Sequence, residues 1–238
     1  MRVAIVPALN EAPRIARVIT TMPSVIDRIL VVDDGSTDET ARVARATFDP
    51  RVEVLVHGSR LGVGAAIATG ALRARELGAA TAVVMAGDGQ MDPADLPALL
   101  GPVLRGEADL VKGNRLAWPG GALAFPRTRL VGVVALAAAT RVATGLPIDD
   151  AQCGYVAFGR HALDRVPWRD LWPSFGYPND LLGHAARLDL RVAEVPVRPV
   201  YEGEESKLRP RHAPAIAWVI GRAFVRRISA RAPAYRAC

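Results

Sequence analysis

The sequence predicts an α/β domain built on a mainly parallel, doubly wound sheet with helices on both faces. Three observations lead there. Runs such as ILVVDD (29–34) and AVVMAG (82–87) are apolar without alternation, as strands covered on both faces should be. Such runs alternate with helical segments through the first half of the chain, the rhythm of a parallel sheet. Half of the 238 residues are hydrophobic, enough to bury a sizeable core and inconsistent with disorder.

The first strand is expected at Val3–Pro7, ending in Pro7-Ala8-Leu9-Asn10-Glu11, with a helix over Ala12–Thr21. The second, Ile29–Asp33, runs into Asp33-Asp34-Gly35-Ser36-Thr37-Asp38. Gly35 lets the backbone turn, and Ser36 to Asp38 can cap a helix over Glu39–Thr47. Asp38 reads equally well as a cap or a ligand. The third strand, Val52–His57, leads through Arg60-Leu61-Gly62-Val63-Gly64 into a helix over Gly64–Glu76. This glycine string lacks the third glycine of a dinucleotide fingerprint and follows the third strand, not the first. Small residues at 64, 65, 66 and 70 instead suit close helix–sheet packing beside a nucleotide. The fourth strand, Thr81–Met85, ends in Gly87-Asp88-Gly89-Gln90-Met91-Asp92-Pro93. Asp92 and Pro93 there read as N-cap and first residue of a helix over Pro93–Leu104. The fifth strand is Asp109–Lys112. Beyond residue 115 the chain turns to loops rich in Pro, Gly and Trp, which suit substrate recognition rather than a second domain.

In such a sheet the ligand crevice lies at the carboxyl ends of the strands. Three strands deliver carboxylates and glycine turns to that edge. Asp34 can accept hydrogen bonds from a base or a ribose. Asp88 and Gln90 are oxygen ligands two residues apart that can face one hard cation, Mg²⁺ or Mn²⁺. The same string also reads as an ordinary Asp/Gly turn.

The net charge of +6 is concentrated at one end. From Lys207 onward there are eight Lys or Arg and no Asp or Glu, leaving 22 basic against 24 acidic residues before it. Ile216, Trp218, Ile220, Phe224 and Ile228 lie among those arginines. That pattern suits an anionic membrane surface better than a nucleic acid, and a helix docked on the domain is the alternative. No stretch reaches the roughly 18 uncharged apolar residues of a spanning helix. Leu130–Thr140 is the nearest, and reads as a core helix or an interfacial one. Two cysteines, Cys153 and Cys238, form no disulfide framework or thiolate metal site. The start lacks the apolar core of a signal peptide. A cytoplasmic chain is the expectation.

The strings PALNE, VVDDGSTD, LGVGAAIATG, GDGQMDP, KGNR, DDAQCGY and EVPVRPVY…ESKL occur in this order. Together they resemble glycosyltransferase family 2 over residues 1 to 210, most of all its dolichol-phosphate mannosyltransferase and polyprenyl-phosphate glycosyltransferase branch. The resemblance implies a Rossmann-like GT-A domain over 1–210, with a nucleotide-sugar half (1–115) and an acceptor half (116–210). A basic amphipathic tail, 211–238, follows. It implies a nucleotide-sugar pocket with Pro7, Leu9, Glu11, Asp34, Gly64 and Asp88, and Asp88 and Gln90 as ligands of Mg²⁺ or Mn²⁺. The family's D-x-D-x-Q string reads here Ala86-Gly87-Asp88-Gly89-Gln90, so Ala86 replaces its first aspartate. A weaker metal site, or a non-catalytic nucleotide-sugar binder, would follow from that departure. Arg115 and Lys207 correspond to phosphate-facing cations, with Tyr201 where the family often has an arginine.

The activity implied is inverting transfer of a hexose, mannose or glucose, from GDP-mannose or UDP-glucose to a polyprenyl phosphate. No nucleic acid beyond the donor nucleotide is expected. The acceptor is already anionic and needs no general base, only cations to hold it in line. Asp88, Arg115 and Lys207 are the expected catalytic residues. Arg115, Arg127, Arg129, Lys207 and Arg209 are the acceptor-phosphate candidates. For a neutral saccharide acceptor, the alternative, a base would be needed, with Asp149, Asp150 and Asp180 as candidates. Asn179 or Asp180 also reads as a helix cap, and His161, His184 and His212 as surface or packing residues. A sugar-nucleotide pyrophosphorylase would need a glycine-rich N-terminal loop, which PALNEAP is not. The Leu130–Leu146 segment and the tail would dock the enzyme peripherally on the inner face of the cell membrane.

Overall fold

The computed structural model describes residues 1–200 and 212–231. Its seven-stranded sheet has the order β3-β2-β1-β4-β6-β5-β7. The strands are β1 (Arg2–Ala8), β2 (Arg28–Asp33), β3 (Val52–Val56), β4 (Thr81–Val84), β5 (Leu110–Asn114), β6 (Val156–Gly159) and β7 (Val192–Pro196). Only β6 runs against its neighbours β4 and β5; the remaining pairs are parallel. The helices are α1 (Ala12–Thr20), α2 (Thr40–Arg45), α3 (Val63–Glu76), α4 (Leu96–Leu104), α5 (Arg127–Thr144), α6 (Arg160–Arg165), α7 (Tyr177–Arg187) and α8 (Ala213–Arg231).

Alternation of side chains along each strand builds two cores. Ala4, Val6, Ile29, Val31 and Val83 face α1 and α4, packing on residues such as Ile15, Ile19 and Leu99. Val3, Ile5, Leu30, Ala82 and Phe158 face the other side, against Ile67 and Ala71 of α3 and Leu181 of α7. Because both faces are covered, the strands read as unbroken apolar runs. Helix α3 lies close on the sheet: a Cβ on Gly70 would stand 2.3 Å from Ile5 Cγ2.

The five expected strands are present, with ends shifted by one or two residues. The second helix is shorter than expected, because Phe48 enters left-handed backbone at φ +51° and turns the chain toward β3. Asp92 caps the turn Pro93–Asp95 before α4, accepting from Ala94 N at 2.9 Å. The region past residue 115 is not mostly loop. It supplies β6, inserted between β4 and β5, and β7 beyond them. Both fall outside the strand–helix alternation that marks the first five strands, and β6 runs antiparallel to its neighbours.

Helix α5 buries Val133, Ala137 and Thr140 and exposes Val131, Val134 and Val142. Helix α8 packs across α5 and α7. Its Ile216 and Val219 face the domain, while Trp218, Phe224, Val225 and Ile228 are exposed. Among the described residues no helix is long and apolar enough to cross a membrane.

Candidate active site

The carboxyl ends of β1, β2, β4 and β5 meet at one edge of the sheet, so the strings that follow them share one crevice. The loops after β1 and β2 are zipped together. Asn10, at φ +56°, donates its N–H to Ser36 Oγ, and its Oδ1 accepts from Thr37 N, both at 2.9 Å. Asp38 acts as a cap: Oδ2 accepts from Ala12 N at the start of α1, and Oδ1 from Thr40 N at the start of α2. Glu11 is buried beside this junction, its N–H on Thr40 Oγ1 and its carboxylate paired with Arg14. Pro7 O accepts from Gly87 N, tying the end of β1 to the loop that carries Asp88.

Asp34 is 3% exposed and accepts three hydrogen bonds. Its oxygens accept from Leu61 N (2.9 Å), Gly62 N (2.8 Å) and His57 Nδ1 (2.9 Å). It therefore holds the 60–62 segment at the entrance to α3. Gly64 follows, with its N–H on Pro173 O at 2.8 Å. A Cβ there would stand 2.0 Å from Trp172 O, so glycine is required for the 172–173 segment to close on the helix. Pro7, Leu9, Glu11 and Asp34 are brought together by the pairing of β1 with β2, which sets Ala8 opposite Asp33.

On the loop after β4, Asp88 Oδ1 accepts from Gln90 N at 3.1 Å, and Gly89 turns the chain at φ +76°. Ala86 donates its N–H to Met91 Sδ. Tyr177, 7% exposed, brings its hydroxyl to Gly154, beside the Met91 methyl of this loop. Its burial pushes the phenol above its usual range, so it stays protonated.

Arg115 is held on three points by Asp150. Its N donates to Oδ2 at 3.1 Å, Nε to Oδ2 at 2.7 Å and Nη2 to Oδ1 at 2.9 Å. Burial opposes ionisation of Asp150, but these bonds outweigh it and hold the carboxyl below its ordinary range. Arg115 and Arg129 both lie over the Phe125 ring, at 5.2 and 5.6 Å. Below them Lys112 is 1% exposed and donates Nζ to Cys153 O at 2.5 Å. Burial pushes this ammonium down, against the attraction of Asp150 and Glu194. Arg127 is exposed at the first turn of α5. Lys207, Arg209 and Tyr201 lie outside the described residues.

The base candidates are committed elsewhere. Asp150 serves Arg115, and Asp149 pairs with Arg141 at the surface. Asp180 does not cap α7, whose N-cap is Gly176 at φ +107°. It is buried in the first turn, accepting from Trp172 N at 2.8 Å and Arg222 Nη2 at 2.6 Å. His161 pairs with Asp109, His184 is buried in α7, and His212 stacks on Phe175.

The model of the family described as Glycosyl transferase family 2 matches residues 3–166. The chain belongs to that family. It is a glycosyltransferase with the GT-A fold. The undecaprenyl-phosphate mannosyltransferase of Micrococcus luteus is 33% identical over 204 residues, which cover 83% of each chain. The UDP-N-acetylglucosamine–dolichyl-phosphate N-acetylglucosaminyltransferase of Methanococcus voltae is 29% identical over 212 residues, 83% of this chain and 84% of that one. Among solved structures, glucosyl-3-phosphoglycerate synthase from Mycobacterium tuberculosis, with Mn²⁺, UDP and glucosyl-3-phosphoglycerate, superposes with TM-score 0.68. It is 25% identical, covering 95% of this chain and 79% of that one.

For this family 2 glycosyltransferase the residues present fit a divalent metal. Asp88 and Gln90 offer hard oxygens from one turn, whose shape is fixed by the Asp88–Gln90 N hydrogen bond. Among the described residues no group of three His, Cys, Asp or Glu side chains could enclose an ion alone. A site of one or two protein oxygens, completed by phosphate oxygens and water, is how Mg²⁺ is commonly held at nucleotides. Ala86 adds no ligand. The sequence reading missed Tyr177, Phe125 and Glu194, and saw Asp150 only as a base candidate. Glu194 opens EVPVRPVY, a string read only for its family likeness, and GYPND and LAFP carry no spacing that signals a site; the contacts of Phe125 with Arg115 and of Glu194 with Asn114, Asp149 and Asp150 arise only in the tertiary fold.

Proposed function

We propose that this glycosyltransferase moves a hexose, mannose or glucose, from GDP-mannose or UDP-glucose to a polyprenyl phosphate, with inversion at the anomeric carbon. The observation that carries the reading is the pair Arg115 and Arg129 over Phe125, past the carboxyl end of β5, on the sheet edge that also bears the loop of Asp88. An anionic acceptor needs cations held in line with the donor, and an Arg fork is suited to phosphate. A neutral saccharide acceptor needs a base instead, and the binding of Asp150 and Asp180 by Arg115 and Arg222 speaks against it.

In this reading Pro7, Leu9, Glu11, Asp34 and Gly64 border the nucleotide-sugar pocket. Asp88 and Gln90 would hold Mg²⁺ or Mn²⁺, which would supply Lewis-acid stabilisation of the departing diphosphate. Arg115, Arg129, Arg127 and, beyond the described residues, Lys207 and Arg209 hold the acceptor phosphate. An acceptor phosphate oxygen attacks C1 from the face opposite the diphosphate. The new C1–O bond forms as the old one breaks, and its electron pair leaves with the nucleoside diphosphate. No proton has to be removed. The names of the relatives from M. luteus and M. voltae support a polyprenyl-type acceptor, and the Mn²⁺ of the mycobacterial structure supports the metal.

The exposed Val131, Val134 and Val142 of α5 and Trp218, Phe224 and Val225 of α8, flanked by Arg226 and Arg227, support peripheral docking on an anionic membrane face. The cytoplasmic leaflet is the site this implies. A groove of about 360 Å³ between α5 and the 114–117 segment, walled by Leu116, Val134 and Ala137, opens beside Arg141 and suits an isoprenoid chain.

Turnover of GDP-mannose and of UDP-glucose with Mn²⁺, with and without a short polyprenyl phosphate, tests the reading. Glycolipid from one donor is expected. Donor binding without any glycolipid would overturn it and favour a soluble acceptor or a non-catalytic binder.

A further inference from the structure

Glu194 sits on β7 opposite Lys112 of β5 and has no part in the chemistry above. Its carboxylate nevertheless collects three donors from the segments that frame Arg115. Oε1 accepts from Asp150 N, and Oε2 from Asp149 N and Asn114 Nδ2, each at 2.9 Å. Asp150 in turn grips the Arg115 side chain and its N–H. Asn114 Oδ1 accepts from Leu116 N and Ala117 N at 3.0 Å, fixing the backbone that follows Arg115. Arg115 is thus held from both sides, and both holds converge on one carboxylate.

We propose that Glu194 is a positioning residue that sets the Arg115 fork for the acceptor phosphate, an inference that rests on the acceptor reading of Arg115. The donor count matches an ionised carboxylate: three N–H groups on two acceptor oxygens. Gln cannot reproduce it. Its amide NH₂ would face either Asp150 N or the Asp149 N and Asn114 Nδ2 pair, donor against donor. The 149–150 turn then loses its anchor, and with it the angle of Asp150 toward Arg115. A displacement near 1 Å at a positioning group costs about 10²-fold in rate, so a tilt of part of that size is large enough to measure.

The test uses the full chain with Glu194→Gln and two independent readings. The first is solvent exchange of the Arg115 Nε–H by NMR, its resonance assigned through loss in Arg115→Lys. The second is steady-state transfer to a short polyprenyl phosphate, with donor affinity measured separately by nucleotide titration. We expect exchange roughly tenfold faster, kcat/KM for the lipid roughly tenfold lower, and donor affinity within about twofold. In an Arg115→Lys background the same change should add less than about twofold, because the two act as a unit. Unchanged Nε–H exchange would overturn the proposal, as would parallel loss of donor and lipid constants with a fall in Tm. Faster exchange while neither Glu194→Gln nor Arg115→Lys alters lipid transfer would leave Glu194 in its place and remove the acceptor reading of Arg115. Glu194→Asp keeps the charge but shortens the reach; it should fall between, and it carries the same decision if the Gln variant does not fold.

Discussion

The guanidinium of Arg115 and the carboxylate of Asp150 form a two-pronged ion pair, 2.7 and 2.9 Å long, in which Asp150 has no solvent exposure. The pair joins the end of β5 to the turn before β6, residues 35 apart in sequence. Asp150→Asn keeps the shape but removes the charge facing the arginine. Breaking a buried pair on one side costs about 3 kcal/mol or more. We expect that loss in urea unfolding, together with a fall of about 10²-fold in kcat/KM for the lipid acceptor. Loss of stability with transfer intact would reduce the pair to a structural clamp.

Asp88→Ala should abolish metal-dependent turnover and leave the far-ultraviolet circular dichroism unchanged. The converse substitution is equally informative. Ala86→Asp restores an oxygen ligand at the position where the family string has one, and should lower the Mn²⁺ concentration for half-maximal activity by about tenfold, since ligand charge tunes affinity. An unaltered Mn²⁺ response in both variants would remove the metal assignment.

Gly64→Ala drives a methyl group into the Trp172 carbonyl, 2.0 Å from the position its Cβ would take. The neighbour is backbone and cannot turn aside. Overpacking of this kind costs about 1–3 kcal/mol, and for a chain of this size each kcal/mol lowers Tm by about 2–4 °C. Thermal unfolding and nucleotide titration should both respond, because the 172–173 segment accepts the first N–H groups of α3, where the proposed nucleotide pocket would lie. A variant with wild-type Tm would mean the segment adjusts freely.

These positions differ in how far the sequence exposes them. The ends of β1, β2 and β4 are legible because buried parallel strands leave unbroken apolar runs, and the carboxylates stand directly after them. Asp92 is legible as a cap by local spacing, whereas Asp38 reads equally as cap or ligand until its bonds to Ala12 N and Thr40 N show it capping. Strand β6 is not legible, since VAFG lies antiparallel within an otherwise parallel order and outside the strand–helix alternation. Asp180 reads as a base candidate or, with Asn179, as a cap, yet the left-handed Gly176 starts α7 and Arg222 from α8 fixes Asp180 in the interior. Glu194 and Asp150 meet across 44 residues, a distance at which no periodicity operates.

Acid stability should depend on Asp109. Its hydrogen bonds with Arg191 outweigh burial and pull its carboxyl from 3.8 down to about 2. A depressed carboxylate stabilises the fold fully above its unfolded pKa, and that contribution is lost as pH falls through the folded one. The wild type should therefore lose stability between about pH 4 and pH 2. Asp109→Asn should show a shallower slope in urea midpoints over that window. Identical slopes would mean that the ion pair with Arg191 contributes nothing in solution.

The most direct test of the central claim is the product formed from GDP-mannose or UDP-glucose, Mn²⁺ and a short polyprenyl phosphate, identified by mass spectrometry of the lipid phase, with its anomeric configuration read by NMR at C1. The account predicts a hexosyl phosphoryl-polyprenol of inverted anomeric configuration, lost in Asp88→Ala and strongly reduced in Arg115→Lys. A saccharide product with untouched lipid, or a retained configuration, would contradict it.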